Sequence, residues 1–133
     1  MTADATEPCP CGGGAFDTCC EPILAGAPAP TAEALMRSRY TAFVRGDDAY
    51  LAFSWHPDAR PRDVHVADDR RWLGLKIKAA TAGGEDDAMG TVEFVARWKV
   101  GGRAERLHEL SEFVRYEGRW VYLRGQQKER TRA

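Results

Sequence analysis

The sequence predicts an α+β fold, in which an N-terminal metal-binding knuckle precedes two helices packed on one face of a bent antiparallel sheet. Three observations carry this reading. All four cysteines fall between residues 9 and 20. Apolar residues then recur at helical spacing from Ala32 to Trp55. From Trp72 onward the pattern becomes a two-residue alternation broken by glycine turns. Helices first and consecutive hairpin strands after them put the two in separate layers.

The composition suits one such domain. The chain has 133 residues, 44% hydrophobic and 29% charged, which is globular in type and long enough for one core. Nineteen basic residues stand against twenty acidic ones, and that balance argues against specific DNA binding. No apolar run approaches the roughly 20 residues that span a membrane. The acidic stretch from Met1 to Pro8 does not read as a secretory signal. The expected location is therefore the cytoplasm, where thiols stay reduced and clustered cysteines favour metal over disulfides.

Residues 1 to 8 read as a loose tail, and residues 21 to 30, rich in Ala, Pro and Gly, as an ordered connector. A helix is expected from Ala32 to Arg45, with Thr31 as N-cap and Gly46 as stop. Its apolar face comprises Leu35, Met36, Tyr40, Phe43 and Val44. Asp47 can cap a second helix running to about Trp55, which buries Tyr50, Leu51 and Phe53 and ends before Pro57. The polar stretch from Asp58 to Arg70 assigns itself to no element.

Strands are expected over Trp72 to Ala80, Thr91 to Val100, Arg106 to Tyr116 and Arg119 to Arg124. Leu73, Leu75 and Ile77 share one side of the first strand. In the second, Val92, Phe94, Ala96 and Trp98 oppose Glu93, Val95, Arg97 and Lys99. Gly101-Gly102 and Glu117-Gly118 make the hairpin turns. Residues 126 to 133 read as a polar tail. Strands closing partway around helices leave a concave pocket.

The cysteine segment reads Cys9-Pro10-Cys11, seven residues that include three glycines, then Cys19-Cys20. Zinc takes four ligands in a tetrahedron. The glycines let the backbone double back and turn its N–H groups toward the sulfurs. Four thiolates leave no open coordination position, so such a site is structural. Disulfides and plain core packing are the alternatives, and iron or another soft metal would also accept this donor set. Apart from Phe16 the knuckle has almost no apolar residue, so metal would supply its folding energy and the main domain would unfold independently.

Cys9-Pro10-Cys11-Gly12-Gly13-Gly14 with Cys19-Cys20 resembles the SEC-C zinc motif found in the SecA translocation ATPase and small bacterial proteins. Leu35 to Phe43, Trp55-His56-Pro57, Trp72 to Leu75, Val92 to Arg97 and Gly118-Arg119-Trp120 resemble the YchJ-like family of uncharacterised bacterial proteins. The spacing between the cysteine pairs is one residue shorter than is usual in that motif. The resemblance implies a cone-shaped domain like nuclear transport factor 2 over residues 31 to 125, after a knuckle and connector over residues 1 to 30. It also implies that the knuckle contacts a protein or ribosome surface. It implies no activity, because folds of this shape serve as enzymes and as scaffolds.

Other candidates are weaker. His56 could act as a general acid or base, or anchor the helix end. Arg37 and Tyr40 share a helix face, and an Arg facing a pocket could hold a carboxylate or phosphate. Glu93 and Arg97 lie on one side of their strand and could pair. His108 and Glu109 must point to opposite faces. Two functions follow. One is a zinc-binding protein-interaction module. The other is a small-molecule-binding protein or enzyme using the cone, with His56, Arg37, Tyr40, Glu93 and Arg97 as candidate contacts. Convergence of His56, Arg37 and Glu93 in a closed pocket would favour the second.

Overall fold

The computed structural model describes residues 7–67 and 69–132, so residues 1–6 of the expected N-terminal tail lie outside the described residues. A 3-10 turn at Phe16–Thr18 leads into helix α1 (Cys20–Leu24), then α2 (Ala32–Arg45) and α3 (Asp48–Phe53). Four strands follow, β1 (Arg71–Ala82), β2 (Met89–Val100), β3 (Arg103–Tyr116) and β4 (Arg119–Arg132). They form one antiparallel sheet in sequence order. This is the expected α+β arrangement. No helix among the described residues is long and apolar enough to cross a membrane.

The expected caps are formed. Thr31 Oγ1 accepts the Ala34 N–H at 3.0 Å, and Asp47 Oδ1 accepts that of Tyr50 at 3.0 Å. Gly46 ends α2 in the left-handed conformation, φ 70°. The hairpin turns use positive φ at both central positions, 58° and 79° at Gly101-Gly102 and 51° and 81° at Glu117-Gly118. Those angles match the twist of the strands they join. The stretch after Pro57 is held from α3, where Asp48 Oδ1 accepts the Val66 N–H at 2.8 Å and Val66 is buried.

Several expectations are corrected. The residues after the cysteines begin with a short helix, α1, rather than a plain connector. The second helix ends at Phe53, and Trp55 bridges to Tyr122 instead of completing a turn. Phe53 is exposed, with the Arg119 guanidinium 3.9 Å from its ring centroid. Leu73 is also exposed, because a bulge between Trp72 and Gly74 shifts the alternation and leaves Trp72, Leu75 and Ile77 facing the core.

The polar tail is not a tail. Gln126 and Gln127 pair with Leu110 and Glu109, and the ladder runs on to Glu105↔Arg132. Gln126, Gln127 and Lys128 are exposed on this edge strand. It therefore lacks the apolar alternation by which a strand is recognised, and polar edges resist pairing with other chains.

One core cluster spans the knuckle and the helices and sheet. Buried Cys9, Cys11, Phe16 and Cys20 belong to one cluster with Leu35, Met36, Phe94, Phe113 and Trp120. Arg45 of α2 lies 4.5 Å over the Phe16 ring and closes the seam.

Candidate metal centre and cone cavity

The four sulfurs of Cys9, Cys11, Cys19 and Cys20 all lie within 4.8 Å of one another, and all four thiols are free. Cys11 and Cys19 are 3.5 Å apart and Cys19 and Cys20 4.0 Å apart. A tetrahedral zinc with bonds of about 2.3 Å needs sulfur–sulfur edges of roughly 3.8 Å. The donor set therefore fits a thiolate-preferring metal ion in both number and spacing.

Local backbone geometry produces this cluster. Gly12 N–H bonds Cys9 O at 2.9 Å and Cys9 N–H bonds Gly14 O at 2.7 Å, which folds the first pair around a tight turn. Gly12 and Gly14 sit at φ 83° and 129°, values that favour glycine. Gly13 is needed for space, since a Cβ there would lie 3.1 Å from Cys19 Sγ and 3.2 Å from Cys11 Sγ. Hydrogen bonds to the sulfurs come from α2 side chains, and none from the glycine amides is seen among the described residues. Thr41 Oγ1 donates to Cys20 Sγ at 3.3 Å. Arg37 Nη1 donates to Cys11 O at 2.9 Å and approaches Cys11 Sγ at 3.8 Å, while Arg37 Nε pairs with Glu33 at 3.0 Å.

The thiols compete for negative charge. Cys11 is drawn down to about 4, chiefly by the hydrogen bond of Cys20, with Cys19, Cys9 and Arg37 helping against the cost of burial. Cys19 is pushed up to about 12 by burial and then by Cys11. Cys20 is pushed up further still, first by Cys11 and then by burial. The Cys11 thiolate thus holds Cys19 and Cys20 protonated. A bound dication is the species that lets all four ionise together.

On the other side of α2 a cavity of about 200 Å³ opens into the cone. Aromatic side chains dominate its wall: Tyr40, Phe43, Trp55, Trp72, Phe94 and Trp98. Its polar residues are Arg39, Arg70, Glu109, Ser111 and Tyr122. Arg39 is only 4% exposed. Its Nη1 donates to Leu51 O at 3.0 Å and Ser54 Oγ at 2.6 Å, and its guanidinium lies 5.0 Å from the Trp55 ring and 4.6 Å from that of Tyr122. Burial lowers its pKa to about 10. Glu109 Oε2 accepts from Ser111 at 2.6 Å and Tyr122 at 3.3 Å. A Cβ at Gly125 would overlap the Glu109 carboxylate and come within 2.7 Å of the Tyr122 hydroxyl, so the glycine makes room for this acid. Burial raises Tyr40 to about 12, and raises Tyr122 with help from the Glu109 charge.

Of the residues named as pocket candidates, only Tyr40 lines this cavity. Arg37 faces the cysteines instead. Glu93 and Arg97 lie on the opposite face of β2, where Glu93 bonds His108 at 2.6 Å rather than Arg97. His56 sits outside the cavity wall. Its Nδ1 accepts the Asp58 N–H at 3.1 Å and its ring stacks edgewise on Tyr116 at 5.2 Å. His108 and Glu109 do point to opposite faces, and it is Glu109 that enters the cavity. Arg39, Ser54, Ser111 and Tyr122 are not among the pocket candidates. The signal for the first two was a buried-looking polar residue inside an apolar helix pattern. Thr41, four residues after Arg37, likewise repeats the knuckle-facing position one turn on.

The family model described as "YchJ, middle NTF2-like domain" matches residues 31–125. A UPF0225 protein of Chromobacterium violaceum is 52% identical over 126 residues, covering 91% of this chain and 93% of the relative. Another from Ralstonia nicotianae is 51% identical over 133 residues, covering 90% and 91%. The solution structure of a SEC-C motif containing protein from Rhodopseudomonas palustris superimposes with a TM-score of 0.79 at 36% identity, covering 91% of this chain and 98% of that one. The crystal structure of a SEC-C motif containing protein from Psychrobacter arcticus gives a TM-score of 0.73 at 27% identity, covering 92% and 84%.

Proposed function

The chain belongs to the YchJ-like family, and we propose that in this member Cys9, Cys11, Cys19 and Cys20 hold one structural zinc. The observation that carries the reading is the approach of all four sulfurs to within 4.8 Å of one another. Zinc would supply the positive charge that lets four neighbouring thiols ionise, and with four protein ligands it would keep no position for substrate. The chain's own residues do the rest. Arg37 fixes the Cys11 carbonyl, Thr41 donates to Cys20, and Gly13 leaves room for the sulfurs.

The knuckle is then an interaction module. Gly12, Gly13, Gly14, Asp17 and Thr18 are exposed, and metal binding would hold them as a rigid surface for a protein or ribosome partner. Native mass spectrometry tests the first part, with one zinc per chain expected; metal-free protein carrying two disulfides in reducing buffer would falsify it. Cosedimentation with purified bacterial ribosomes tests the second. Binding that survives Cys19→Ser unchanged would remove the knuckle from the interface.

A further inference from the structure

The cone cavity has a feature the knuckle does not explain, a buried cation without an ion-pair partner among the described residues. Both protein hydrogen bonds of Arg39 come from Nη1. Among the described residues, its Nε and Nη2 N–H groups have no hydrogen-bond partner and no carboxylate forms an ion pair with it. Trp55 and Tyr122 offer only their ring faces. A guanidinium that is 4% exposed and left in this state is costly unless something else meets its charge. Glu109, in the same wall, offsets part of that charge through space, but its carboxylate accepts from Ser111 and Tyr122, sits against Gly125 and makes no ion pair with Arg39.

We propose that the cone cavity binds a small aromatic monocarboxylate, with the carboxylate on the free edge of Arg39 and the ring between aromatic walls. The planar guanidinium edge matches a carboxylate with two parallel hydrogen bonds. Charge decides the valence: Arg39 and Arg70 against Glu109 leave one positive charge in the wall, which a monoanion neutralises and a phosphate dianion overshoots. Size decides the body. A cavity of about 200 Å³ is smaller than the roughly 300 Å³ where sites for drug-sized ligands begin, so it takes a single ring and excludes a nucleotide. Trp72, Trp98 and Phe94 supply the stacking surfaces.

The chain carries its own reporter. Three of the four tryptophans, Trp55, Trp72 and Trp98, line this cavity, whereas Trp120 lies outside it under Arg115. Nitrogen-15 spectra of the indole N–H groups would be recorded against benzoate and phenylacetate, their amides benzamide and phenylacetamide, and benzylamine. The acids should shift the three cavity indoles saturably, leave that of Trp120 in place, and bind at least tenfold more tightly than their amides. Arg39→Lys, which keeps the charge and loses the fork, should weaken binding of the acids and narrow that preference. Because Arg39 also holds α3, this variant could fail to fold, and the acid-to-amide ratio on the unaltered protein then decides alone. No shift with either acid, equal binding of acid and amide, or tightest binding of benzylamine would each overturn the proposal.

Discussion

Helix α2 carries two arginines two positions apart, and they serve regions built in opposite ways. Residues two apart on a helix point about 200° from each other. Arg37 therefore reaches the cysteine knuckle and Arg39 the cone cavity. The knuckle is made of sulfur donors, glycines and one buried Phe. The cavity is made of aromatic faces with a few polar groups set into them. In the first region Arg37 is partly buried and pairs with Glu33; in the second Arg39 is buried and forms an ion pair with no acid among the described residues. The same residue type thus meets an acid at contact distance in one region and only backbone, hydroxyl and ring partners in the other, and the difference is where its partners sit.

The largest expected effect tests whether the two regions are separate at all. Because Cys9, Cys11, Phe16 and Cys20 share one core cluster with Phe94 and Trp120, Cys20→Ser or strong chelation should destabilise the whole chain. A loss on the order of 3 kcal/mol or more is expected, seen as one thermal transition moving down. If the main transition stays in place while only the N-terminal signals disappear, the regions fold independently and the shared core means little.

Next come the arginines themselves. Arg39→Leu removes the 3.0 Å donor from the Leu51 carbonyl, which keeps only the Ser54 hydroxyl at 3.3 Å, and removes a donor from the buried Ser54 hydroxyl, a cost of about 2–3 kcal/mol. Arg37→Leu leaves its partners nearer solvent and should cost about 1 kcal/mol. Equal urea midpoints for the two variants would erase the distinction drawn between the regions.

Alkaline pH should act on the cavity side. Burial raises Tyr40 to about 12 and raises Tyr122 as well, whereas an unfolded phenol ionises near 10. The folded state holds these protons more tightly, so the stability they contribute is present below about pH 10. It is lost as pH rises from there through the folded values. Urea midpoints at pH 9 and pH 11 measure this, and Tyr122→Phe should reduce the drop. An unchanged drop would place the alkaline sensitivity elsewhere.

Much of this was legible in the sequence, and the failures share a cause. The cysteine cluster, the capped helices and the glycine hairpins are local patterns, readable from a few neighbouring residues such as Thr31, Gly46 and Gly101-Gly102. Leu73 misled because a bulge breaks a period of two. The end of β4 was missed because its pairing is made by backbone, while its side chains read as a tail. Arg37 was expected at the pocket and faces the knuckle instead, because helical spacing groups residues by face without saying which face meets the sheet. Glu109 and Tyr122 meet only through the pairing of β3 with β4, which no local window contains.

The smallest expected effect comes from a residue that belongs to neither region. His56 N–H bonds Tyr122 O at 2.8 Å, where the chain leaving α3 meets β4. Its Nδ1 accepts from Asp58 N–H, which fixes the turn at Pro57, and its ring packs on Tyr116. In His56→Ala the backbone bond to Tyr122 remains, while the side-chain bond and the ring contact are lost. The acceptor removed sits near solvent, so water can replace it at Asp58, and the net cost should be about 1 kcal/mol. Metal content should not change, and the indole signals of Trp72 and Trp98 should stay where they are. A urea midpoint equal to that of the unaltered protein sinks the anchoring role. A normal midpoint with displaced cavity indoles would do more, because it would tie His56 to the cavity and redraw the boundary between the two regions.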